Sequence, residues 1–126
     1  LGTGVSSFSH LHDVHFQNVD GWGEYLARLG GDDLPIGRAY RTTQHERLVR
    51  ELILQLKLGH VSHRYFESKF EIDIRDRFAN AIQRLESQGF LELTDDQICL
   101  TRKGLLRVDS LLPEFYEAAH RGARYT

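Results

Sequence analysis

The sequence has no methionine, one cysteine and two prolines, and its charges nearly cancel: 16 Lys+Arg stand against 18 Asp+Glu, a net −2 with histidine neutral. The single Cys99 excludes an intrachain disulfide. It also excludes any Cys-rich zinc or iron–sulfur site built by this chain alone. Near-neutrality argues against a strongly basic nucleic-acid binder and against a polybasic membrane-surface protein. No apolar run approaches the ~20 residues that span a bilayer, and no signal-peptide pattern opens the chain. No membrane span and a reducing, cytoplasmic setting are therefore expected. Without methionine, the opening Leu1-Gly2-Thr3-Gly4 reads as the start of an excised piece of something longer. What is present is ordinary for a globular chain: 126 residues, 40% hydrophobic and 27% charged, enough for one domain with an appended segment.

Composition shifts near residue 41, with most glycines before it and the long periodic segments after it. Residues 1–9 suit a strand with Val5, Ser7 and Ser9 on one side and Ser6 and Phe8 on the other. Its small residues let a ligand or another backbone approach closely. Residues 10–24 read as an exposed loop. A short helix over Glu24–Leu29 ends at Gly30-Gly31, and Asp32-Asp33-Leu34-Pro35 makes a turn.

Beyond residue 41 the helical period is strong. A helix over Gln44–Leu58 is capped by Thr42 or Thr43, with Glu46 completing a capping box. Leu48, Val49, Leu52, Ile53 and Leu56 form its apolar stripe, and Gly59 closes it. Ser62 caps a second helix to Phe70, anchored by Tyr65 and Phe66. Asp73 caps a third to Gln88, burying Ile74, Phe78, Ala81, Ile82 and Leu85, with Gly89 past its end. Strands Phe90–Thr94 and Gln97–Thr101 flank Asp95-Asp96 as a β-hairpin. Thr101 caps a last helix with Leu105, Leu106, Val108, Leu111 and Leu112 as contacts, and Pro113 ends or kinks it. Phe115 and Tyr116 pack in a short continuation, and an Arg-rich tail follows from His120. The expected fold is α+β, mainly α. It comprises a winged-helix domain over 41–126 (three helices, a hairpin wing, a C-terminal helix), preceded over 1–40 by a lone barrel-type strand and loop.

A winged helix first suggests DNA, but Arg75, Arg77 and Arg84 on the third helix are cancelled by Asp73, Asp76 and Glu86, and the wing tip carries two aspartates. No nucleic-acid partner is expected; a winged-helix DNA-binding regulator stays as an alternative. His10, His12 and His15 with Asp13 have metal-ligand character, and His10 and His12 would share a strand face. No cysteine helps them, and no metal site is assigned. His45, His60, His63 and His120 read as solvated or capping. Gly2-x-Gly4 lacks the third glycine and the following helix of a dinucleotide fingerprint. Cys99, between Ile98 and Leu100, faces outward by alternation. Arg38, Arg41, Arg47 and Arg50 make a local basic patch able to receive carboxylates.

One family shares this order of motifs. Gly2-Thr3-Gly4-Val5-Ser6-Ser7-Phe8-Ser9, Phe16-Gln17-Asn18, Tyr25 and Leu34-Pro35 resemble the end of the catalytic barrel in radical S-adenosylmethionine enzymes related to oxygen-independent coproporphyrinogen III oxidase. Arg50-Glu51-Leu52-Ile53, Gln88-Gly89-Phe90-Leu91 and Ile98-Cys99-Leu100-Thr101-x-x-Gly104 resemble that family's C-terminal winged-helix domain. The resemblance implies a longer parent that binds S-adenosylmethionine and a [4Fe-4S] cluster and converts propionate side chains of a porphyrinogen to vinyl groups. The family's C-x3-C-x2-C cluster motif is absent here, so this piece is expected to bind no cofactor and to be inactive alone. Its expected partner is the missing N-terminal barrel of the same chain. The resemblance places Gly2, Gly4, Ser6, Ser7 and Phe8 on the S-adenosylmethionine side. Gln17 and Asn18 match an element beside it and, with Arg38 and Arg41 added for their charge, are candidate contacts to a porphyrinogen or heme-type substrate. The same tail occurs in heme chaperones and heme-utilisation proteins, which stand as the first alternative.

Overall fold

The computed structural model describes residues 1–116; the tail from His120 lies outside the described residues. It is a mixed α/β structure, about half helical. The chain divides into two compact units, Leu1–Arg47 and Leu48–Thr126, and the division falls inside one helix.

The first unit holds a three-stranded antiparallel sheet of β1 (Phe8–Leu11), β2 (Val14–Asn18) and β3 (Ile36–Arg41), in that order. Helix α1 (Trp22–Gly30) lies between β2 and β3 in sequence. The sheet corrects the expected lone strand over residues 1–9 and the loop over 10–24. Ser6 has φ 57°, a left-handed conformation that a strand does not tolerate, so extended pairing begins only at Phe8. Residues 14–18 alternate after all, with Val14, Phe16 and Asn18 on one side and His15 and Gln17 on the other. That alternation is short and rich in polar residues, which hides it in the sequence. His12, with φ 53°, sits in the tight turn between β1 and β2 and so cannot share a strand face with His10. Helix α1 begins two residues earlier than expected and stops at the Gly31 cap.

The second unit begins within α2 (Gln44–Lys57). The capping box that opens the helix is formed: the Glu46 backbone N–H donates to Thr43 Oγ1 at 3.1 Å, and the Thr43 N–H donates to Glu46 Oε2 at 2.7 Å. All five stripe residues are buried, from Leu48 to Leu56. Each contributes about 1.5–3 kcal/mol relative to exposure. Gly59, at φ 98°, closes the helix as expected.

Strand β4 (His60–Ser62), hidden in the sequence because three residues carry no period, joins β5 (Leu91–Leu93) and β6 (Gln97–Leu100) in the order β4-β6-β5. The hairpin register pairs Leu91 with Leu100 and Leu93 with Ile98 around Asp95-Asp96. Helix α3 (His63–Phe70) buries His63, Phe66 and Phe70. The expected anchor Tyr65 is 40% exposed instead; its hydroxyl donates to Glu51 Oε2 at 2.8 Å. His63, expected to be solvated or capping, is buried, with Nδ1 lacking a hydrogen-bond partner.

The expected third helix is two: α4 (Ile74–Arg77) and α5 (Ala79–Ser87), broken at Phe78, whose ψ of 24° leaves the helical region. Asp73 caps α4 as expected, accepting from the Arg75 N–H at 2.8 Å. The Arg75 side chain, and then its backbone N–H, hold the Asp73 carboxyl below the ordinary aspartate range. Gly89 lies just past α5 at φ 73°, a conformation that L side chains rarely adopt.

The last expected helix is likewise broken, into α6 (Arg102–Leu105), α7 (Val108–Leu111) and a 3-10 turn over Leu112–Phe115 that contains Pro113. Thr101 does cap α6, accepting from the Gly104 N–H at 3.1 Å. Leu105 and Leu106 are 45% and 79% exposed and are not core contacts, because the break at Arg107 (ψ 12°) ends the helical phase that would have aligned them with Leu111. Leu111, Leu112, Phe115 and Tyr116 are buried. A side chain at Gly104 would overlap the Phe90 carbonyl, so α6 packs against the strand entry only with glycine there.

Candidate functional site

The predicted site residues of the first unit gather around one glycine-bearing turn. Gly4 (φ 107°) and Ser6 (φ 57°) bend residues 2–7 back on themselves. The turn is fastened mainly by hydrogen bonds. Gly2 N–H donates to Ser9 Oγ at 2.8 Å, and Gly4 N–H to the Tyr25 hydroxyl at 2.9 Å. Asn18 Nδ2 donates to Gly4 O at 2.9 Å and to Gly2 O at 3.4 Å. Gln17 Nε2 donates to Ser6 O at 3.0 Å, and Ser7 Oγ to Thr3 O at 2.8 Å. The Ser6 and Asn18 backbone N–H groups bond Val19 O and Ser7 O at 2.9 and 3.0 Å. Asn18 and Ser9 are buried polar residues, so these bonds satisfy groups that would otherwise cost about 1–3 kcal/mol each.

Register decides which side chains share a face. Phe8, Gln17 and Arg38 stand in one cross-strand row, and His10, His15 and Tyr40 in the next on the same face. The Phe8 and His15 rings are 5.3 Å apart, and the His10 and His15 rings meet edge to face at 6.1 Å. Arg38 Nε donates to Gln17 Oε1 at 2.6 Å. Arg41 pairs with Val14 on the opposite face and lies 3.4 Å from Asp13. The sheet therefore separates the two arginines that charge alone grouped.

A cavity of about 470 Å³ is lined by Ser6, Gln17, Asn18, Asp20, Arg28 and Arg38, among others. Arg28 is engaged there, donating to Ile36 O at 2.9 Å and to Glu24 at 2.6 Å. Arg38 is not: among the described residues its two terminal amino groups carry no hydrogen bond or ion pair. A second, more apolar cavity of about 300 Å³ is lined by Phe8, His15, Gln17, Arg38 and Tyr40. Sequence reasoning named Ser9 and Tyr25 within the resembling motifs without giving either a site role, and it missed Tyr40. Tyr25 meets Gly4 across 21 residues, a separation that no local pattern reports.

The chain's donor set does not fit a [4Fe-4S] cluster. It has one cysteine, and among the described residues no group of three or more His, Cys, Asp or Glu is placed to hold a metal ion. Cys99 lies in the second unit, on β6 between His60 and Glu92. It is half-buried, and Ile98 and Leu100 beside it are buried, as alternation required.

The first unit is a small sheet carrying a polar site, and the second consists of helices and a three-stranded sheet with a β-hairpin. Residues 42–107 match the HemN C-terminal domain, and the chain belongs to that family. Curated relatives that it matches carry the name oxygen-independent coproporphyrinogen III oxidase. The oxygen-independent coproporphyrinogen III oxidase of Synechocystis sp. is 29% identical over 126 residues, covering 91% of this chain and 26% of that protein. The protein of the same name from Pseudomonas aeruginosa is 30% identical over 116 residues, covering 88% and 25%. The fold is that of coproporphyrinogen III oxidase (HemN) from Escherichia coli, described as a radical SAM enzyme. The TM-score is 0.74 at 23% identity, over 91% of this chain and 27% of that one. The chain spans about a quarter of the length of the curated relatives it matches.

Proposed function

We propose that this chain is the C-terminal part of a radical S-adenosylmethionine enzyme of the oxygen-independent coproporphyrinogen III oxidase type. The observation that carries the reading is the family match over residues 42–107. In this reading residues 1–40 are the end of the parent's catalytic barrel and a connecting loop, and the described residues from 41 onward belong to a winged-helix domain. Helices α2, α3 and α4–α5, the β5–β6 hairpin and α6 follow one another in the order such a domain requires. The winged helix caps the parent's active site, and its near-neutral charge suits packing on protein better than on phosphates. The parent, a cytoplasmic enzyme, decarboxylates porphyrinogen propionates to vinyl groups, using S-adenosylmethionine and a [4Fe-4S] cluster held elsewhere. The Gly2–Phe8 turn, with Gly4, Ser6 and Ser7, faces the S-adenosylmethionine side. Arg38 faces a substrate carboxylate, with Gln17 and Asn18 beside it; the placement of Arg41 disfavours it for the same carboxylate.

The chain alone supplies no cluster ligand set and is inactive by itself. Anaerobic reconstitution with iron and sulfide, read by absorbance, is expected to leave it without a cluster; a stoichiometric cluster on these 126 residues would overturn that statement. The coding sequence upstream of Leu1 tests the larger reading: a C-x3-C-x2-C motif there supports it, and an upstream sequence without one sinks it. A heme-handling relative is a second reading, favoured by the His10–His15 pair on the Arg38 face. Titration with ferric heme, read in the Soret band, separates the two: saturable one-to-one binding that is lost in His15→Ala selects the heme-handling reading.

A further inference from the structure

We infer that Gln17 is a positioning residue that presents Arg38 to the carboxylate of an acid with a flat apolar body. The inference rests on the ligand-facing reading of this sheet face and names which residue does what there.

Both ends of the Gln17 amide are in use. Its Nε2 donates to Ser6 O at 3.0 Å and its Oε1 accepts from Arg38 Nε at 2.6 Å. The side chain therefore links the left-handed turn to the guanidinium and is itself occupied by protein. The Asn18 Nδ2 is likewise spent, on Gly2 O and Gly4 O. Gln17 is therefore not the ligand contact that its polarity suggests. Arg38 is different, because its Nε is held while its two terminal amino groups remain unengaged among the described residues. A guanidinium fixed at Nε keeps a planar pair of N–H donors in a set direction, the geometry a carboxylate matches.

The surroundings define the rest of the ligand. Arg38 and Gln17 line both cavities, the polar one of about 470 Å³ and the apolar one of about 300 Å³. A carboxylate at Arg38 thus has its attached body directed along Phe8, His15 and Tyr40, two aromatic rings and an imidazole on the same face. Asp20 lines the polar cavity and disfavours a second negative charge there. The other nearby cations do not compete: Arg28 is engaged by Glu24, and Arg41 lies on the opposite face beside Asp13.

The test uses this 126-residue chain, with 3-phenylpropionate as probe and the Arg38 side-chain Nε–H resonance as readout. Saturable shifts are expected with the acid and none with its methyl ester. Acetate, without an apolar body, should bind about tenfold more weakly. Arg38→Leu should abolish binding. Gln17→Leu should weaken it by about fivefold or more and speed exchange of the Nε–H proton. Gln17→Glu should keep that proton slow to exchange, because the acceptor is retained, yet weaken binding, because the new carboxylate occupies the guanidinium. A purely structural role for Gln17 would move these two variants together. Amide signals of residues 48–116 serve as the fold control. No binding by the native chain, equal binding of the ester, binding that survives Arg38→Leu, or unchanged affinity in Gln17→Leu would each overturn the inference. Loss of the upstream cysteine motif would sink the parent-enzyme reading while leaving this titration as it is, so the two fail separately.

Discussion

The two units of the chain are held together by different forces. Residues 48–116 enclose a cluster of twenty buried apolar residues, from Leu48 to Tyr116. Among the described residues of the first unit, Val19 and Pro35 are the two buried apolar side chains, and the buried Ser9 and Asn18 are polar. The second unit is a packed core whose stability scales with area removed from water. The first is a hydrogen-bonded construction whose shape depends on donors meeting carbonyls at fixed distances. A packed core tolerates changes of side chain that conserve volume, whereas a hydrogen-bonded turn loses a satisfied buried group with each partner removed.

Phe66 is fully buried, with Phe70 stacked 5.7 Å away. Phe66→Ala should cost about 3–5 kcal/mol in denaturant unfolding, with amide exchange speeding across residues 48–116 more than across 2–18. Equal acceleration in both would mean that the units do not differ as described. Asn18→Ala should cost about 1–3 kcal/mol, confined to the first unit and read as faster exchange at Gly2–Phe8. A matching loss among residues 48–116 would erase the distinction. In the native chain, amides of the first unit should exchange faster overall than those of the second; full protection across Val5–Ser9 in a monomer would contradict this.

A smaller effect is expected at the α2 cap. Thr43→Ala removes one capping bond and should lower the melting temperature by an amount equivalent to about 0.5–2 kcal/mol. The smallest concerns pH. Arg75 depresses the folded-state Asp73 carboxyl, so Asp73 contributes stability above its unfolded pKa of about 4 and loses it as pH falls through the lower folded value. Melting curves of the native chain and Asp73→Ala should be separated near neutrality and converge on acidification, and a constant gap down to low pH would remove Arg75 as the cause.

The same contrast explains what the sequence revealed. Elements built on period and caps were legible: the Thr43–Glu46 box, the Leu48–Leu56 stripe, the Asp73 and Thr101 caps, and the hairpin around Asp95-Asp96 each depend on residues within a few positions of one another. Elements made by long-range contact were not. Strand β4 exists because β6 offers an edge. His63 is buried by neighbours that its own segment does not announce. Leu105 and Leu106 look like core residues until the break at Arg107 turns them outward. The candidate site was half legible, since Gly2, Gly4, Gln17, Asn18 and Arg38 do converge. Their division of labour was not, because it depends on which atoms face which partner.

The pairing of β2 with β3 has one further consequence. Gln17 faces Arg38 and Asn18 faces Ile36, so Gly37 is an extra residue with no partner across the ladder. A relative one residue shorter at that point would keep every cross-strand pair on either side. A relative one residue shorter between Arg38 and Arg41 would send part of β3 to the wrong face. Alignments through this segment should therefore place a single-residue gap at Gly37, and a gap two positions later would mark a chain whose basic residue looks the other way.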